Sequence, residues 1–144
     1  MNSNRKTTKI DMKVLLSTLW IFAIFNYLYA DVLGFYEPGV LEELMTGSVG
    51  GIQFTQGFLL GAAILMETAI VMVLLSRVLE YRANRLANII AGVIHTLAVS
   101  GSMFVGSAPS LHYMFFGTIE IVTTLLIIWL AWKWANPKVA LIKT

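Results

Sequence analysis

Residues 54–85 read FTQGFLLGAAILMETAIVMVLLSRVLEYRANR. As far as Leu75 the stretch is almost wholly apolar; beyond it come Arg77, Arg82 and Arg85. At a helical rise of ~1.5 Å per residue, residues 54–75 cover the ~30 Å hydrocarbon core of a bilayer. Basic residues that flank such a span are retained on the cytoplasmic side, so this helix runs from outside to inside.

The rest of the chain fits around that stretch. Its ten Lys and Arg residues fall in three polar segments: Arg5, Lys6, Lys9 and Lys13; Arg77, Arg82 and Arg85; and Lys133, Lys138 and Lys143. The two remaining connections carry Glu37, Glu42 and Glu43 or no charge. This pattern predicts an all-α membrane four-helix bundle with both termini cytoplasmic and helices at about residues 12–33, 54–75, 86–105 and 111–132. With 58% hydrophobic residues and a mean hydropathy of +0.77, the chain 1–144 reads as a single integral membrane domain. The expected address is a bacterial inner membrane. The run Met12–Leu33 is too long for a secretory signal core and is read as an uncleaved helix. Trp129, Trp132 and Trp134 mark the inner end of the fourth span, and Pro137 is expected to stop it.

Several functions are excluded. Net charge is only +2, with basic residues on one side and acidic residues on the other, which suits anionic lipid heads and not nucleic acid. There are no cysteines, so thiolate catalysis and disulfide exchange are absent. Lys13 stands only at the edge of its span and no other lysine lies inside one, which rules out a retinal Schiff base.

In the first outer loop Pro38-Gly39 makes a turn. Val40, Leu41, Leu44 and Met45 then recur at helical spacing opposite Glu42 and Glu43. That is a short amphipathic surface helix, either a lid over an outward-facing cavity or a cover for helix ends. Gly47, Gly50 and Gly51 are expected to free it to move. Gly57 and Gly61 form a small-xxx-small pair, suited equally to packing within one chain or between copies in a homo-oligomer.

Chemistry concentrates at mid-span. Glu67, His95 and Glu120, on the second, third and fourth helices, stand near the span centres, and Asn26 stands at a similar depth on the first. Asn84, Asn88, His95 and Ser102 draw one stripe on the third helix; Gln56 and Glu67 share a face of the second; Tyr113, Gly117, Glu120 and Thr124 share one on the fourth. An acidic residue at a helix centre is penalised by roughly 2.5–3.5 kcal/mol on insertion scales. Such residues are therefore expected to face a polar interior as a proton-titratable Glu67/His95/Glu120 site, with Asn26, Asn88, Gln56 and Tyr113 around it. A purely structural role, hydrogen-bonding helices together, is the alternative. Asp31, at the outer end of the first helix and four residues after Tyr27, either bonds Tyr27 or the loop, or meets a ligand. No metal is expected, because the Glu-x-x-His spacing of helical di-iron sites is missing.

The leading functional reading is non-enzymatic: proton-linked binding or translocation of a small lipophilic or cationic molecule. A quinone-interacting accessory subunit is the second and a structural or assembly subunit the third. No nucleophile with a convincing base supports an enzyme, and no cofactor is predicted beyond the quinone of the second reading.

The segments Leu19-Trp20-Ile21-Phe22 with Asn26-Tyr27-Leu28-Tyr29-Ala30-Asp31, Asn84-Arg85-Leu86-Ala87-Asn88-Ile89-Ile90-Ala91-Gly92, and Phe115-Phe116-Gly117-Thr118-Ile119-Glu120 resemble an uncharacterised family of small bacterial four-helix membrane proteins. The resemblance covers almost the whole chain and implies the fold without an activity. More distantly, the layout is similar to DoxX-like membrane proteins, in which a glutamate of the second helix recurs; Glu67 matches it. Some DoxX-like proteins accompany quinone-linked or thiol-linked oxidoreductases, and of these only the quinone link suits a chain without cysteine.

Overall fold

The computed structural model describes residues 10–106 and 108–135. The basic residues Arg5, Lys6, Lys9, Lys138 and Lys143, and the helix stop at Pro137, lie outside the described residues. The fold is all-α, with helices α1 (Met12–Gly34), α2 (Val40–Met45), α3 (Gln56–Val78), α4 (Tyr81–Ser102) and α5 (Leu111–Lys133). One small antiparallel hairpin, β1 (Ser48–Val49) with β2 (Ile52–Gln53), interrupts the pattern.

Local chemistry sets the helix ends. The Asp11 side chain accepts the backbone N–H of Lys13 at 2.9 Å and starts α1. The Thr55 hydroxyl accepts from Phe58 N at 3.1 Å, so α3 begins at Gln56 and not at Phe54. Leu79 and Glu80 are both extended and make the whole connection between α3 and α4. The third helix therefore starts at Tyr81, earlier than its apolar run suggests. Its first turns carry Arg82, Asn84 and Arg85, and only the arginines among these escape burial.

The long helices pack side by side, α1 against α3 and α5, and α4 against α5 and, less extensively, α3. Three of them, α1, α3 and α5, are long and apolar enough to cross a membrane. Composition sets α4 apart, because Asn84, Asn88 and His95 lie on its buried face. Closest approach is between α4 and α5. A Cβ on Gly92 would stand 2.7 Å from Ile128 Cγ1, and one on Gly117 would run into Met103 Cε. The apolar core joins Leu16, Trp20, Ala23 and Tyr27 of α1 to Ala69 and Met72 of α3, Ala91 of α4 and Ile127 of α5.

The first long loop contains the expected short helix, α2, with Leu41 and Met45 exposed. The glycines after it act differently from the expectation. Gly50 and Gly51, the two residues between the strands, adopt positive φ (57° and 83°), the left-handed geometry that a tight hairpin needs, and Gly47 (82°) turns the chain just after α2. They specify a turn and do not simply loosen the segment. Glu43 Oε2 accepts the Gly50 N–H at 2.7 Å and ties α2 to that turn. The hairpin reaches the α4–α5 connection, where a Cβ on Gly106 would stand 3.1 Å from Gly50 O and from Ile52 Cδ1. Glu37 Oε1 lies 3.3 Å from His112 Nδ1, a second tie between the loop and α5. The loop thus spans the end of the molecule at which α1 and α4 finish and α3 and α5 begin.

Candidate functional site

Two groups of polar side chains sit among the long helices, at different depths. The first lies towards the α3–α4 connection. The Trp20 indole donates to Asn88 Oδ1 at 2.8 Å, and the Ser76 hydroxyl donates to the same oxygen at 3.2 Å. Asn88 Nδ2 donates to Asn84 O (2.9 Å) and Asn84 Oδ1 (2.7 Å), while Asn84 Nδ2 donates to Ser76 O at 2.6 Å. Nearby, Ser17 donates to Val73 O at 2.9 Å and receives Arg77 Nε at 3.1 Å. Trp20, Ser76, Asn84 and Asn88 are fully buried. Their donors and acceptors answer one another, which makes this a fastener of α1, α3 and α4 and leaves little for a ligand to use.

The second group is left with bonds to make. A cavity of about 150 Å³ opens between the long helices at the loop end, lined by Tyr27, Asp31, His95, Tyr113 and Glu120 among apolar side chains that include Leu65, Met66 and Val99. Asp31 and Ser102 are exposed and form its mouth, whereas Tyr27, His95 and Glu120 are buried. His95 is fixed by its neighbours: Trp20 meets it edge-on at 5.3 Å, Tyr27 stacks on it at 5.6 Å, and its Nε2 lies 3.4 Å from Thr68 Oγ1. The Tyr113 hydroxyl donates to Ser102 Oγ at 2.9 Å across the mouth. Glu120 Oε1 and the Tyr27 hydroxyl are buried without a hydrogen-bond partner among the described residues. Each such group costs about 1–3 kcal/mol when left unmet. The lining holds two carboxylates and neither Lys nor Arg.

The structure gathers some of the expected site and disperses the rest. Glu120 and His95 converge from α5 and α4, joined by Tyr113, and both Tyr27 and Asp31 of α1 enter the same cavity. Of the roles expected for Asp31, a bond to Tyr27, a bond to the loop or contact with a ligand, the first is not realised, because the Tyr27 hydroxyl has no partner among the described residues. Glu67 is exposed at the midpoint of α3, on the side turned away from the other helices, and Gln56 is exposed at the start of the same helix. Neither lines the cavity. The reason is register: Ala69, Met72 and Ser76 hold the inward face of α3, and Glu67 falls nearly opposite Ser76. Asn26 is buried but donates to Phe22 O of its own helix at 2.8 Å, and Asn88 belongs to the fastener. Sequence reading also missed Trp20 as a polar participant. An indole within a span, away from the interface, needs a partner for its N–H, and that was the available signal.

No three His, Asp or Glu side chains gather at metal-binding range among the described residues. A model of a family of unknown function (DUF6326) matches residues 7–141. No curated protein and no solved structure matches the chain.

Proposed function

The chain belongs to this family of unknown function, and we propose that it is a four-span protein of a bacterial inner membrane, with both termini cytoplasmic, that binds or translocates a small cationic or lipophilic molecule in exchange for a proton. Placing α4 across the bilayer with the others is supported by its inward polar face, because its buried amides and imidazole are bonded or packed within the protein. Orientation is supported by charge. Lys13, Arg77, Arg82, Arg85 and Lys133 stand at one end of the long helices, and Glu37, Glu42 and Glu43 at the other.

One observation carries the ligand reading: Glu120 and Tyr27, each with a buried polar atom that has no partner among the described residues, line a cavity that also holds Asp31 and His95. Two carboxylates with aromatic faces and no competing basic side chain favour a cation. Size narrows the choice. A volume of about 150 Å³ accommodates one six-membered ring or roughly five waters, at ~30 Å³ each. Glu120 is the proton-exchanging group in this reading, since a cation and a proton compete for one buried carboxylate; His95 and Tyr27 hold its surroundings rigid.

The test is calorimetric titration of the protein in lipid nanodiscs with tetramethylammonium and with benzylamine, repeated in buffers of different ionisation enthalpy. Wild-type protein is expected to release about one proton per ligand bound, and Glu120→Gln none. Equal proton release by both proteins, or no binding of either amine by wild type, overturns the reading. The stacked Tyr27–His95 pair favours a second reading, a quinone-interacting subunit in which the tyrosine hydroxyl meets a quinone oxygen. Quinone recovered by solvent extraction of the purified protein would favour that one.

A further inference from the structure

Glu67 poses a problem that the cavity does not solve. It stands at the centre of the most apolar stretch of the chain, exposed, with the other long helices behind it. The whole of α3 is sparsely covered: 11% of its apolar window is buried, against 33% for α1 and for α5. From Gln56 to Ile64 every residue is exposed. Within the proposed membrane placement, on which this inference rests, the Glu67 carboxyl would meet acyl chains, where an ionised group has no solvation and a neutral one no hydrogen-bond partner.

We infer that α3 is the interface of a homodimer in which Glu67 of one copy hydrogen-bonds Glu67 of the other. The occupant follows from depth and symmetry. Every copy inserted in one orientation carries Glu67 at the same level, and a two-fold axis along the membrane normal brings a residue on that axis against itself. Two carboxyl groups are self-complementary once one of them holds a proton, because the protonated oxygen donates to the ionised one. Gln56 lies three helical turns away on the same face, and its amide is self-complementary in the same way. Ala63, one turn before Glu67 on that face, is small enough to let the backbones approach.

The chain has no cysteine, which makes the test clean. Ala63→Cys is oxidised in native membranes and run on a non-reducing gel, beside Ala69→Cys on the inward face. A covalent dimer is expected from the first and not from the second. Dilution into excess lipid, read by energy transfer between labelled copies, should then show Glu67→Leu dissociating at a tenfold or more higher protein density than wild type. Glu67→Gln, whose amide is also self-complementary, should keep most of the association. Equal crosslinking at both positions, or Glu67→Leu as dimeric as wild type, overturns the dimer and leaves the cavity's function untouched. Release of the chain from membranes by alkaline carbonate overturns the membrane placement and the dimer together.

Discussion

Trp20 on α1 gives its indole hydrogen to Asn88 on α4 at 2.8 Å, with both side chains fully buried. Asn88 Oδ1 also receives Ser76 of α3, so one oxygen joins three helices. Replacing Asn88 by Leu removes the acceptor of the indole and the serine hydroxyl, and removes the Nδ2 donor that Asn84 O and Oδ1 receive. Interhelical hydrogen bonds in membranes average well under the values for soluble cores, so the expected loss is about 2 kcal/mol for the four bonds together. Reversible unfolding in mixed micelles measures it. A change within a few tenths of a kcal/mol would show that these groups re-pair elsewhere.

Glu120 should behave in the opposite sense. Its Oε1 is buried and unpartnered, so its present surroundings do not repay its desolvation. Glu120→Met fills similar space without a polar atom and is expected to stabilise the fold by about 1 kcal/mol, or a few degrees in Tm. The same variant should lose proton-linked amine binding. A fall in Tm would mean that the carboxylate is structural, and would count against its assigned role.

The pattern of what could be read in advance follows from physics at particular positions. Apolar runs fixed the existence of the long helices because a bilayer crossing demands length and apolarity, and charge fixed where they are joined. The apolar run alone starts α4 too late, because Arg82 and Arg85 bound it; Asn84, already on the polar stripe, is bonded to Ser76 and Asn88 within the core. The polar layer was half legible. His95 and Glu120 belong to helices that meet closely, and periodicity orients them. The stripe of Gln56 and Glu67 on α3 gave a face without saying which way it pointed, because α3 is apolar around its whole circumference. Only packing distinguishes the face of Ala69, Met72 and Ser76 from that of Glu67. The hairpin of Ser48–Val49 with Ile52–Gln53 was hidden for another reason: its glycines signal a turn but not the strands either side.

Gly92 and Gly117 both lie where α4 and α5 come close, yet they should tolerate alanine differently. At Gly92 the new methyl meets Ile128 Cγ1 at 2.7 Å, near the stiff base of a β-branched side chain, with Thr124 O at 3.4 Å. Backbone shift is then required, and Gly92→Ala should cost about 1–3 kcal/mol. At Gly117 the obstacle is the terminal methyl of Met103, which swings aside. Gly117→Ala should therefore fall within about 1 kcal/mol of wild type, helped by the better helix propensity of alanine. Chemical unfolding of the two variants side by side decides it. Equal losses would contradict the assigned contacts.

Orientation is testable with single cysteines in this cysteine-free chain. Ser48→Cys sits in the loop-end hairpin, and Glu80→Cys in the α3–α4 connection. If basic residues are retained in the cytoplasm, a membrane-impermeant maleimide added to intact cells labels Ser48→Cys, and labels Glu80→Cys only after permeabilisation. The reverse labelling would invert the topology, and labelling of both from outside would signal mixed insertion.

The strap across the cavity end depends on Gly106. Its φ of +84° suits glycine alone, and a side chain there would press on Gly50 O and Ile52 Cδ1 of the hairpin at 3.1 Å. Gly106→Val should detach the hairpin from the α4–α5 turn while leaving the long helices packed, since the atoms nearest to the new Cβ belong to the hairpin. The Glu37–His112 contact at 3.3 Å would remain as a tie between the loop and α5, and a solvent-accessible pair of this kind contributes about 0–1 kcal/mol. Hydrogen exchange should therefore rise in residues 47–54 and stay unchanged in α1 and α5. A single cysteine at Ala30, which lines the cavity, should react severalfold faster with a small thiol reagent in the Gly106→Val background. An unchanged reaction rate, with the hairpin demonstrably released, would show that the loop does not govern entry, and that Asp31 and Ser102 form an open mouth by themselves.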